Sequence, residues 1–185
     1  MRKILTIILC IFTLIIMAGG IIYYLFEIKS TAIVLLKTDI NPLLAIRGKI
    51  VGLDYEISKI PFSLLADAPP SAIQAGWSNN DIYVALGKQG KYWRAIRAYK
   101  KIPDQKAAVF IWGKCSSKLN NIFYVRYNME SLILSDNTAR LIRKQIEDTA
   151  KTNGSNLTID AEVILNRQAK GRINRIFVND VPYKK

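Results

Sequence analysis

The chain has 185 residues, a net charge of +13 and a hydrophobic fraction of 50%, which allows one domain plus an appendage. It has no histidine, which excludes Ser-His-Asp and Cys-His catalysis and imidazole-based metal sites. Two distant cysteines, Cys10 and Cys115, cannot build a thiolate cluster, and no glycine-rich phosphate loop occurs, so no cofactor is expected.

From Ile4 to Phe26 no residue carries a formal charge, and most are Ile, Leu, Phe, Met or Ala. As a helix such a run crosses a hydrocarbon core about 30 Å thick. Arg2 and Lys3 precede it, Glu27 and Lys29 follow it, and Tyr23 and Tyr24 lie near its outer end, where amphipathic rings favour the interface. It is longer than the roughly 7–15 apolar residues of a cleaved secretory signal. Residues 1–29 therefore read as an N-terminal transmembrane anchor with a short cationic head, and 30–185 as one soluble, β-rich domain. The cationic head points to a single-pass inner-membrane protein with its domain extracytoplasmic. Lys29 and Lys37 oppose that bias.

Thr31 to Lys37 reads as a strand, and Asp39 to Pro42 as a turn. Gly48 to Ile57 alternates, with Val51, Leu53, Tyr55 and Ile57 on one face and Gly52, Asp54 and Glu56 on the other, predicting a half-buried strand. Pro61 to Ser71 reads as a loop or short helix closed by Pro69-Pro70. Asp81 to Leu86 and Tyr92 to Tyr99 form a hairpin across Lys88-Gln-Gly90-Lys. Gln105 to Lys114 is almost continuously apolar at its centre, predicting a strand buried on both faces. Asn121 to Tyr127 adds another strand.

One helix follows. Ser135, Asp136 and Asn137 offer N-cap oxygens, Leu141, Ile142, Ile146 and Ala150 recur at helical spacing, and Gly154 is the terminator. Asn156 to Leu165 and Arg172 to Val178 pair as a closing hairpin. Eight short strands and one helix in the C-terminal half predict a mainly β, α+β fold. Its expected form is an antiparallel sandwich or partly closed barrel behind the anchor. Cys115, lacking a partner, is expected as a small buried residue.

From residue 30 onward there are 24 Lys and Arg against 13 Asp and Glu. Such a balance suits an anionic partner: lipid headgroups, an envelope polymer or an acidic protein. The cations are scattered, without a dense arginine tract, so nucleic acid is not expected. Tyr92, Trp93 and Tyr99 stand among Lys91, Arg94, Arg97, Lys100 and Lys101, an alternation of rings and cations that stacks bases or sugars. This strand is the candidate ligand surface. The plainer reading of the same alternation, and the preferred one, is a strand with one face in the core and the other in solvent.

Arg47-Gly48-Lys49-Ile50-Val51-Gly52-Leu53-Asp54-Tyr55 resembles the signature of the GDYXXLXY family, an uncharacterised bacterial group, with Gly48, Leu53 and Tyr55 matching and Lys49 and Ile50 departing. Asn41-Pro42 stands where the family has an Asp-Pro turn, and Arg47 matches its Arg before the glycine. Phe110-Ile-Trp-Gly113-Lys is similar to its later apolar strand, and Tyr127-Asn-Met-Glu130-Ser to its Tyr-Gly-Ile-Glu segment. The resemblance implies a membrane anchor, a β-rich domain and partnership with polytopic membrane proteins, and it carries no catalytic residues. Arg47, Gly48, Leu53, Tyr55 and Glu130 are accordingly read as structural.

Two catalytic alternatives remain open in the sequence. A membrane-tethered domain with Arg-Gly in an early strand is similar in outline to type I signal peptidases, which use Ser and Lys. Here the post-anchor serine is Ser30, followed by Thr31 rather than Met. Asp54 and Glu56 at i and i+2 suggest an acid–base pair, although such a pair on an exposed face is commonly solvated or ion-paired. The expectation is a non-catalytic binding or assembly domain that partners another envelope or membrane protein.

Overall fold

The computed structural model describes residues 11–20, 30–39, 45–66, 80–103, 108–153 and 158–184. Residues 11–20 form helix α1, and Ile11, Phe12, Leu14, Ile15, Ile16 and Met17 are each more than half exposed. No helix among the described residues is long and apolar enough to cross a membrane. The expected span from Ile4 to Phe26 is thus not shown as one helix. Only its middle is described, about 15 Å of helix at 1.5 Å per residue, half of a hydrocarbon core. Its flanks lie outside the described residues.

From Ser30 onward the chain is mainly β. The strands are β1 (Ser30–Lys37), β2 (Ile46–Arg47), β3 (Ile50–Gly52), β4 (Lys59–Pro61), β5 (Asp81–Gln89), β6 (Tyr92–Tyr99), β7 (Val109–Leu119), β8 (Ile122–Arg126) and β9 (Ser131–Ile133). Helix α2 (Asp136–Asn153) follows, then β10 (Ile159–Asn166), β11 (Gly171–Val178) and β12 (Val181–Lys184). They form a four-stranded sheet β1-β10-β11-β12, a three-stranded sheet β2-β3-β9 and a five-stranded sheet β4-β8-β7-β5-β6. Every registered strand pair is antiparallel. Strand β6 lies against β1, so the sheets curl into a nearly closed, barrel-like arrangement.

The core follows the alternation of the strands. Val34 and Leu36 of β1, Ile82, Val84 and Leu86 of β5, Ile111 and Cys115 of β7, and Ala161, Val163 and Leu165 of β10 point into one cluster. Each fully buried aliphatic side chain contributes about 1.5–3 kcal/mol. Helix α2 adds Ala139, Ile142 and Ile146, and Ser135 caps it by accepting the Thr138 N–H at 3.2 Å. Leu141, expected on the same stripe, is 49% exposed instead. Helical geometry turns it away from the face shared by Ile142 and Ile146. The Ala150 side chain and Gly154 lie outside the described residues.

The expected strand Gly48–Ile57 is broken. Gly48, with φ +60°, opens a two-residue turn between β2 and β3, a position that suits glycine in a type II′ hairpin. Regular pairing ends at Gly52, and Glu56–Ser58 is a 3-10 turn. The inward alternation persists nonetheless, because Val51, Leu53, Tyr55 and Ile57 are all buried. Strand β7 ends further on than the expected Lys114, and the expected start at Gln105 lies outside the described residues. It continues to Leu119, where Asn120-Asn121, both with positive φ, turn into β8.

Candidate functional site

Leu53, Tyr55, Tyr127 and Glu130 form a latch. Tyr55 Oη donates to the Met129 carbonyl at 2.8 Å, and Tyr127 Oη donates to the Ile57 carbonyl at 2.6 Å. The two rings meet edge to face with centroids 6.5 Å apart. The Leu53 N–H donates to the Glu130 carbonyl at 2.7 Å, and the Glu130 carboxylate accepts the Tyr127 N–H. Burial, then the Glu130 charge, push both phenols above their ordinary pKa, so both remain donors. The segment around Leu53-Asp54-Tyr55 is thereby cross-tied to Tyr127–Glu130.

Arg47 is exposed at the end of β2. The Gly48 carbonyl accepts from the Arg143 guanidinium, and Lys49 pairs with Asp136 at 2.9 Å, which docks this turn on the start of α2. Asp54 and Glu56 face different cations, Lys59 at 3.9 Å and Arg94 at 3.8 Å. Lys59 itself donates to Asp39 at 2.5 Å. The side chain of Ser30 lies outside what is described.

The expected ligand strand does not present its residues on one face. Lys91 pairs with Asp180 at 2.6 Å and sits over the Tyr92 ring. Trp93 turns inward against the main core, and Arg94 is drawn to Glu56. Arg97, Lys100 and Lys101 are exposed at the far end of β6.

A second aromatic group lies on the opposite side of the five-stranded sheet from the core. Strand register places Tyr99, Tyr83 and Trp112 directly beside one another across β6, β5 and β7. They pack with Ala85, Phe110 and Ala169 as a separate cluster, in which Tyr99 and Phe110 meet edge to face. The neighbouring row on one side is Arg97–Ala85–Phe110; on the other it is Asp81–Lys114–Arg126. Arg97, Lys114 and Arg126 are all exposed. The β10–β11 turn fastens to this sheet where the Trp112 N–H donates to the Ala169 carbonyl at 2.7 Å. The apolar centre of Gln105 to Lys114 marks a strand in the sequence, but nothing local places Tyr83 beside Trp112.

One buried acid stands apart. Asp160, 1% exposed, accepts from Tyr92 Oη at 2.7 Å through Oδ2, while its Oδ1 has no hydrogen-bond partner among the described residues. Desolvation is the largest influence and raises its pKa; Asp180 adds to the rise, while the Tyr92 hydroxyl, Lys91 and Lys37 oppose it. A carboxyl whose folded pKa is raised adds stability below its unfolded pKa, about 3.9, and that contribution disappears as pH rises through the folded value. Asp160→Asn keeps an acceptor for Tyr92 without the charge. The melting temperature of the variant relative to the parent should therefore increase between pH 4 and pH 8. A pH-independent difference in thermal melts would contradict it.

The fold and this geometry define a β-rich, barrel-like domain with an aromatic and basic sheet face turned away from its core. Comparison with protein-family models, curated proteins and solved structures finds no match to the chain.

Proposed function

We propose that this chain is a single-pass membrane protein whose domain stands outside the inner membrane. There it binds another envelope or membrane component through the outer face of the five-stranded sheet. The observation that carries the reading is the row Tyr99–Tyr83–Trp112 between Arg97 on one side and Lys114 and Arg126 on the other. Rings with apolar faces give contact area and cations give orientation, the division of labour of a binding surface. The residues resembling a family signature are engaged in packing, so recognition falls to other groups.

Anchoring is supported by α1, whose large apolar side chains are exposed along the described helix. A helix apolar all round is stable only inside protein or lipid. The family resemblance adds a polytopic membrane protein as a partner. Binding by surface complementarity is the reading preferred to a Ser/Lys hydrolase.

A photo-cross-linking residue placed at Arg126 in the full-length protein, in native membranes, should yield an adduct with an envelope component. The same residue at Lys144, exposed on α2, should not. Equal labelling from both positions, or none from either, would overturn the reading. Protease added to spheroplasts should digest the domain, and full protection would place it on the cytoplasmic side.

A further inference from the structure

We infer that the outer face of the five-stranded sheet takes an anionic glycan, its sugar rings lying on the Tyr99–Tyr83–Trp112 row and its acidic groups meeting Arg97, Lys114 and Arg126. The inference rests on the binding reading above and adds the class of ligand.

Neighbouring strands lie about 4.8 Å apart, so three rings in one row across β6, β5 and β7 make a platform about 10 Å long. Tyr83, Tyr99 and Trp112 are half-buried and braced by Ala85, Phe110 and Ala169. They are held as a fixed surface rather than as long exposed tips, and a fixed platform loses little conformational entropy on binding. Aromatic faces carry partial negative charge and attract the electropositive C–H faces of saccharide rings.

The charge pattern narrows the ligand. Cations flank the platform in both adjacent rows, while Asp81 is the only carboxylate in those rows among the described residues. A neutral glycan would leave the flanking cations without counter-charge. A bilayer surface would attract the cations but leave half-buried rings short of the acyl boundary, since interfacial anchors need protruding apolar side chains. A single-stranded nucleic acid shares the stacking and the charge, yet it fits poorly with a domain held outside the inner membrane. An acidic polysaccharide satisfies rings and cations together.

The test uses full-length protein in mild detergent and titration calorimetry with oligogalacturonate, a polyuronate probe. Dextran serves as the neutral control, with oligothymidylate and phosphatidylglycerol vesicles as competitors. Oligogalacturonate should bind and weaken with added salt, and dextran should bind much less. Trp112→Ala should weaken binding about tenfold, the scale of one lost stacking contact. Arg97→Glu with Lys114→Glu, on exposed positions, should weaken it at least as much without altering the melting temperature, and Lys144→Glu should leave it unchanged.

Equal affinity for dextran, tighter binding of oligothymidylate or vesicles, or indifference to the charge reversal would each overturn the glycan assignment. So would a folded parent protein that binds no oligogalacturonate. If oligogalacturonate fails but the charge reversal still abolishes the cross-link from Arg126, the ligand class is wrong and the binding face stands. If the cross-link also survives the reversal, both fail.

Discussion

Replacing Tyr127 with alanine is expected to destabilise the domain by about 3–5 kcal/mol, the range for truncating a buried aromatic ring. Its ring is 2% exposed, lies edge to face with Tyr55 and closes the hydrogen bond to Ile57. Tyr127→Phe keeps the ring and removes only the hydroxyl. It should cost about 1–3 kcal/mol, because the Ile57 carbonyl then loses its donor in a buried place. Tyr55→Phe should behave alike through Met129. Because the two rings touch, the double Phe variant should depart from the sum of the singles by about 0.5 kcal/mol or more. Denaturant midpoints at constant m-value check all three. A loss below 1 kcal/mol for Tyr127→Ala would show that the latch does not hold the barrel together.

Gly113→Ala should also be severe, about 3 kcal/mol, at the upper end of the usual overpacking range. Gly113 lies in the middle of β7, where an added Cβ would sit 2.5 Å from a Val125 side-chain methyl, 2.8 Å from the Arg126 carbonyl oxygen and 2.9 Å from the Tyr127 ring. A side-chain tip can rotate away, but a backbone oxygen in a paired strand cannot move without disturbing the β7–β8 ladder. Gly90→Ala makes the useful comparison. Nothing stands within 4 Å of a Cβ there, and its φ of +63° is the sole obstacle, so its cost should be about 1 kcal/mol. Thermal melts of the two variants side by side would separate steric crowding from backbone strain. Equal losses would remove the crowding argument.

Much of the fold was legible because side-chain alternation is a local property. Val51, Leu53, Tyr55 and Ile57 share one face by alternation and are buried even where the backbone leaves regular pairing. Tyr55 donates to the Met129 carbonyl and the Glu130 carbonyl accepts from Leu53, partners distant in sequence that no local pattern announces. The Gly90 hairpin and the Ser135 cap were read from their turn and cap residues. Strand β12 lies beyond the expected closing hairpin, although Asn179-Asp180, both with positive φ, carry a turn signal, since these residues tolerate the left-handed conformation that two-residue hairpins need. Strand β9 is not legible in the sequence, because three residues are too few for alternation to register.

The candidate ligand strand shows the limit. Rings and cations are adjacent in sequence along β6, yet period-2 alternation sends Trp93 into the core, and acids distant in sequence, Glu56 and Asp180, take Arg94 and Lys91. By itself the sequence determined a mainly β domain, its main hairpins, one capped helix and an excess of positive charge, all set by local pattern and composition. Only the tertiary structure decided which residues meet. Cross-strand register brings Tyr83 beside Tyr99 and Trp112, and the curl of the sheets brings Tyr92 to Asp160. Register and curl come from the packing of the whole chain, where no single segment carries the information.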